Sequence, residues 1–280
     1  MTRCALLAVI LATFAARATA ETVFYVADHE VKKVIKIKED GTLLWDYPND
    51  NAHDVQVLPN KNILLNRAKG VQEVTPDKKV VWEYRSAGSP EAVQRLANGN
   101  TLIADNARMT VLELDAAGKT VWEYKVANDN KRPTPTMRMV RRLDNGNTLT
   151  CASTEDAVLE IDRSGKIVWK YALPFPYLAT RLPSGNTLIS SGSGYGSPVG
   201  HFVIEVDPDG KTVWKYGGAD APADQQLNWP SGHARLKNSN TLIAVARDGV
   251  IREVSPDKKT VRTIRSPAMK HPATIVVVEE

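Results

Sequence analysis

Five histidines stand in this chain, at positions 29, 53, 201, 233 and 271. A neutral imidazole can accept a sulfuryl or phosphoryl group, and it can also pass a proton near neutral pH. A fixed cation such as Arg138 can stabilise the oxyanion that such a transfer creates. His53, His233, His271 and Arg138 are therefore the candidate catalytic set. Glu91, Tyr177, Tyr195, His201, Trp229 and Ser231 are the candidate ligand-binding set. Other chemistries find less support. Of two cysteines, Cys4 falls in the apolar start of the chain, and Cys151 follows Thr150 in a strand where another repeat has Ala104. Cys151 reads as a small buried residue, not as a catalytic thiol. Calcium would need converging carboxylates and amides. Only Glu91 is well placed for that, because Asp54 has the opposite strand parity to His53. No metal site is expected.

The elements that must position these residues repeat. QVLPNKNILL (56–65), QRLANGNTLI (94–103), RRLDNGNTLT (141–150), TRLPSGNTLI (180–189) and ARLKNSNTLI (234–243) are copies of one segment. Each precedes a second one, as in VLELDAAGKTVWEY (111–124) and VIEVDPDGKTVWKY (203–216). A sixth copy of the second segment, IKIKEDGTLLWDY (35–47), has no first segment before it. The tryptophan position recurs at 45, 82, 122, 169, 214 and, as Arg, at 262. That period suits four-stranded propeller blades. Strand A ends at the Leu of "RL", and an Asn-Gly type turn closes a hairpin into strand B. An alternating run makes strand C, and strand D ends in Trp-x-Tyr, whose rings share one face toward the next blade.

The orphan run HPATIVVVEE (271–280) is the strand A that the first blade lacks, which closes the ring and removes its open edges. The expectation is an all-β, six-bladed propeller with four antiparallel strands per blade, forming one domain over residues 21–280. Residue types present in every blade serve the blade, and the Arg before Leu (Arg95, Arg142, Arg181, Arg235) is one of them. Positions that break the pattern carry function. Nine residues before the last Asn of each N-x-N turn stand His53, Glu91, Arg138, Tyr177 and Ser231, one per blade at the channel mouth. Alternation aims His233 to the side of Ser231. All five histidines map to that rim. So do the three longest connections, 125–136, 190–200 and 217–230, the last two bearing Tyr195 and Trp229.

Residues 1–20 read as a signal peptide: Arg3, an apolar run over 5–16, and Ala18-Thr19-Ala20 for cleavage after Ala20. The address expected is periplasmic or secreted, with no membrane span after processing. Net charge is +4 without a basic stripe, which gives nucleic acid no electrostatic footprint. A monomer is expected.

The units such as DPDGKTVWKY (207–216) resemble the repeats of PQQ-like, quinoprotein-type propellers. That resemblance describes blades. Quinoprotein dehydrogenases imply eight blades, calcium and usually a vicinal cysteine pair, so PQQ is not expected in a six-bladed chain with one mature cysteine, and no other cofactor is expected. HDVQVLPNKN (53–62) resembles a strand of arylsulfotransferase-like propellers, with a weaker echo in GHARLKNSNTL (232–242). The resemblance implies six blades, a periplasmic address and sulfuryl transfer between phenols through a histidine. It makes His53 a channel histidine, and His233 and His271 candidates for the acceptor or its acid–base partner. The leading expectation is a binding scaffold for a small molecule, glycan or protein on this rim; the alternative is a transferase or hydrolase using channel histidines. Convergence of His53, His233 and His271 would favour chemistry, and scatter would favour binding.

Overall fold

The computed structural model describes residues 21–127, 136–192 and 200–280. The expected leader, Tyr195 and the centres of the connections 125–136 and 190–200 lie outside the described residues. Six antiparallel four-stranded sheets form the propeller. Lettered A to D from the channel outward, blade one is Pro272–Glu279, Thr22–Asp28, Lys33–Lys38 and Leu43–Pro48. Blades two to six span 55–85, 90–125, 140–172, 176–217 and 230–264. The closing strand pairs along the whole of Thr22–Asp28, from Thr22 with Glu279 to Asp28 with Pro272. Its approach to blade six needs a glycine, because a Cβ on Gly232 would lie 2.5 Å from the carbonyl oxygen of Ala273. No helix among the described residues is long and apolar enough to cross a membrane.

The repeated residues have assignable roles. At the A–B turn the chain enters the left-handed region at Gly99, Gly146 and Gly185, and at Lys61 and Ser239 where glycine is missing. The last Asn of each turn (Asn62, Asn100, Asn147, Asn186, Asn240) donates its side-chain N–H to a strand C glutamate of its own blade: Glu73, Glu113, Glu160, Glu205 or Glu253. Four of these glutamates also receive the arginine of the next blade's strand A. The pairs are Arg95–Glu73 at 3.0 Å, Arg142–Glu113 at 2.8 Å, Arg181–Glu160 at 2.7 Å and Arg235–Glu205 at 2.6 Å. Arg95, Arg142 and Arg181 lie over Trp82, Trp122 and Trp169 of the preceding blade. The indole N–H of Trp45, Trp122, Trp169 and Trp214 donates to a backbone carbonyl in the next blade's C–D turn. Blades three and four are thus clipped to the next by all three contacts, blade two by the ion pair and the cation over a ring, and blade five by the ion pair and the hydrogen bond.

Blade six departs from this scheme for a reason. The closing strand has Val277, opposite Phe24, where the A strands of blades three to six have Arg. Glu253 would face it without a cation. Arg262 takes the place of the tryptophan and supplies that cation from the same blade, at 2.6 Å from Glu253 and 2.6 Å from Glu39 of blade one.

Candidate functional site

The end of each strand B captures the connection that enters the same blade's strand A. In blade one, the Asp28 carboxylate accepts the backbone N–H groups of Glu30 and Val31 at 3.1 Å, and of Lys270 and His271 at 2.7 Å. One carboxylate therefore ties the His29 turn to the start of the closing strand. In blade two, Asn66 Oδ1 accepts the N–H of His53 at 3.3 Å and of Asp54 at 2.9 Å. In blade three, Asp105 holds Ser86 and Ser89. In blade four, Thr154 Oγ1 accepts the Thr136 N–H at 2.6 Å, two residues before Arg138.

A second device aims the side chains. Pairing of strands A and B breaks between Pro90 and Ala92, between Pro176 and Leu178, and between Pro230 and His233. A bulge leaves an extra residue that turns out of the ladder. Glu91 and Tyr177 are such residues, and both turn into a cavity of about 510 Å³ at the channel mouth. His29, His53, Arg138, Trp229 and His271 line it with them, together with Asn51, Asn106 and Thr136.

The cavity side chains form one connected system. Arg138 Nη1 donates to Glu91 Oε2 at 3.1 Å, and His53 Nε2 lies 3.3 Å from the same oxygen. His53 Nδ1 lies 3.2 Å from the Tyr177 hydroxyl. An ionised Glu91 can only accept, which makes Nε2 the donor and leaves Nδ1 to accept the Tyr177 proton. The Arg138 guanidinium stands 5.7 Å from the Tyr177 ring centre. His29 stacks on His53 with centroids 4.5 Å apart and meets the edge of His271 at 6.3 Å. Trp229, held at φ 62°, stands edge-on to His271 at 4.8 Å. One step along from His53, Asp54 makes a two-pronged bridge to Arg141 of blade four, at 2.8 and 2.9 Å.

Burial, reinforced by Arg138 and the neighbouring imidazoles, holds His53 well below the ordinary histidine pKa. Burial and Arg138 lower His29. Burial lowers His271 against the opposing pull of Asp28. All three imidazoles are neutral at pH 7, with lone pairs for a nucleophile or a base. Burial raises Glu91, and Arg138 opposes that rise. Burial also raises Tyr177, keeping the phenol protonated.

The candidate residues therefore divide. His53, His271, Arg138, Glu91, Tyr177 and Trp229 come together. His233 lies elsewhere, with 3% of its surface exposed, its ring between Ser190 Oγ at 2.7 Å and Thr180 Oγ1 at 3.0 Å. The bulge at Ser231–Gly232 breaks the alternation between Ser231 and His233, and His233 stands where other blades have Val93, Val140 or Ala179. Ser231 donates to the carbonyl oxygens of Pro272 and Ala244 and does not line the cavity. His201, at φ 63°, immediately precedes strand C of blade five (Phe202–Val206), its Nε2 buried without a partner among the described residues. Cys151 is fully buried and its thiol is pushed up by that burial. Among the described residues no three His, Cys, Asp or Glu side chains are grouped to hold a metal ion. His29, Asn51, Asn106 and Thr136 are cavity residues beyond the candidate sets. His29 sits in a B–C turn, where the repeat offers no equivalent position. A second cavity, of about 540 Å³ and lined by the A–B turns of blades four and five with Arg141, Arg142 and Arg181, gathers no comparable set of imidazoles.

No curated protein matches the chain. Solved structures match it along most of its length at low identity. A protein of unknown function from Bacteroides caccae is 20% identical with a TM-score of 0.78, covering 93% of this chain and 100% of that one. A chain of a nidogen/laminin complex is 11% identical with a TM-score of 0.70, covering 91% and 98%. A streptogramin B lyase is 15% identical with a TM-score of 0.61, covering 89% and 84%. At these identities the likeness is one of fold. The model of the arylsulfotransferase (ASST) family matches residues 14–221, and with its six blades and channel-mouth histidines the chain belongs to that family.

Proposed function

We propose that this protein transfers a sulfuryl group from an aryl sulfate to an acceptor hydroxyl by way of a cavity imidazole. The observation that carries the reading is the contact of three neutral imidazoles, His29, His53 and His271, in one cavity with Arg138. Transfer through histidine needs an unprotonated ring with an available nitrogen, next to a cation that holds the sulfuryl oxygens. His53 has both nitrogens engaged. His29 and His271 have no ring hydrogen bond among the described residues, and of these two it is His29 whose pKa Arg138 lowers. His29 is the acceptor, His271 and Trp229 form the wall against which an aryl ring packs, and Arg138 binds the anionic group.

The reaction runs in two halves, each exchanging one S–O or S–N bond for another, and needs no cofactor. The apolar leader and the family support an exported protein. Incubation with 4-nitrophenyl sulfate, with and without a phenol acceptor, tests the reading by release of nitrophenol and by a sulfuryl adduct mapped to a cavity histidine. His29→Ala should abolish the adduct. Absence of any release, or release untouched by both His29→Ala and His271→Ala, would sink the proposal. A binding scaffold on the same rim is the second reading, favoured by the aromatic walls Trp229 and Tyr177 beside Arg138. It is the outcome if aryl sulfates bind in the cavity without turnover.

A further inference from the structure

Among the described residues lining the cavity, Arg138 is the one arginine or lysine, and it already has a buried anion beside it. Arg138 faces Glu91 at 3.1 Å, with side-chain exposures of 15% and 7%. A sulfate ester that takes over Arg138 therefore brings a second negative charge against Glu91. A buried carboxylate that loses its cation is strongly disfavoured as an anion and takes up a proton. The same carboxylate touches His53 Nε2 and lines the cavity where the aryl oxygen must leave.

We infer that Glu91, acting with His53, is the acid–base of the cavity, and that it receives its proton when an anionic substrate displaces it from Arg138. The inference rests on the sulfuryl-transfer reading. In the first half-reaction the aryl S–O bond breaks as a bond forms between sulfur and a His29 ring nitrogen. The aryl oxygen keeps the bonding pair and takes the proton from Glu91. In the second half, the acceptor hydroxyl gives its proton to the Glu91 carboxylate, its oxygen bonds to sulfur, and the N–S pair returns to His29. The proton gained on binding is thus used and restored within one cycle.

The surrounding charges leave Glu91 as the receiving group. Arg138, His53 and Asn51 touch it, and the Tyr177 phenol stays protonated behind His53. His29 stacks on His53 and meets the edge of His271, with Arg138, Asp28, Glu30, Lys32 and Arg247 acting on these two rings. Asp54 is committed to Arg141. Burial already holds Glu91 above the usual carboxylate range while Arg138 is beside it.

Two measurements test this. The first is calorimetry of methyl sulfate binding at pH 7 in buffers of different ionisation heat. Wild type should take up close to one proton per anion, and Glu91→Gln close to none. Wild type that binds methyl sulfate without proton uptake overturns the inference, whatever the variant does. The second compares phenyl sulfate, whose leaving oxygen needs a proton, with 4-nitrophenyl sulfate, whose leaving oxygen does not. Glu91→Gln should lower the phenyl to 4-nitrophenyl rate ratio by about 100-fold, the scale of general acid catalysis. Equal slowing of both donors overturns the acid–base role and leaves sulfuryl transfer standing. A wild type that transfers from neither donor overturns both readings together.

Discussion

Replacing Arg181 by Met should destabilise the ring by about 3 kcal/mol, the low end of the cost of stripping the cation from a buried ion pair. The magnitude follows from what Glu160 keeps. It loses Arg181 at 2.7 Å and, among the described residues, retains the amides of Asn145 at 3.1 Å and Asn147 at 2.7 Å. Side-chain exposures of 22% and 8% place the pair at the low end of that cost. Met preserves the packing over Trp169 and removes only the cation–ring term, about 0.5–1 kcal/mol. The matched control is Arg142→Met. There Glu113 keeps a second cation, Arg163, along with Asn100, so the loss should be only about 1 kcal/mol, that of an ordinary hydrogen bond. For a domain of this size the two variants should melt about 6–12 °C and about 2–4 °C below the parent. Equal shifts, or a larger shift for Arg142→Met, would refute the view that these arginines neutralise buried strand C glutamates.

Asp28→Ala should cost roughly 3 kcal/mol, since the carboxylate accepts four backbone N–H groups, and should raise amide exchange across 270–275. Burial holds His233 at about 3 in the folded state against 6.5 unfolded. The unfolded chain thus binds the extra proton between those values, and stability should fall as pH drops below 6.5, by about 1.4 kcal/mol per unit. His233→Gln should flatten that acid limb in urea titrations, and an unchanged slope would exclude His233 as its source. Trp229→Ala should raise the KM for aryl sulfates roughly 10-fold or more, as expected for loss of an aromatic wall, while methyl sulfate affinity holds. Equal weakening of both ligands would deny Trp229 a role in seating the ring.

The repeats made the architecture readable, because N-x-N, "RL" and Trp-x-Tyr each recur and fix strands, turns and blade count. Part of the site was readable for the same reason. Counting back from N-x-N finds His53, Glu91, Arg138 and Tyr177, which do meet in the cavity. Simple alternation fails at the same strands, since the bulges at Glu91, Tyr177 and Ser231–Gly232 shift parity. That shift sends His233 between blades. His29 was placed on the rim but left out of the candidate sets, because a turn residue has no strand register to count from; its contact with His53 puts it in the cavity. The exchange of Trp for Arg at 262 was visible as an anomaly, but its cause required Val277 to be seen opposite Phe24.

The ring is joined within blade one, and this ties the histidine cluster to completion of the fold. His29 follows the first strand in the sequence, while His271 precedes the last. A nascent chain that has reached blade six still holds His29 and His53 without their third partner, and without the strand that Asp28 anchors. If the cluster transfers sulfuryl groups as proposed, activity appears in a single step, on docking of the final strand, and product formation is a readout of completed folding. A circular permutant opened between blades three and four, with the present ends linked, would separate the two events. Its histidine cluster would form from contiguous chain while the rest of the ring was still assembling.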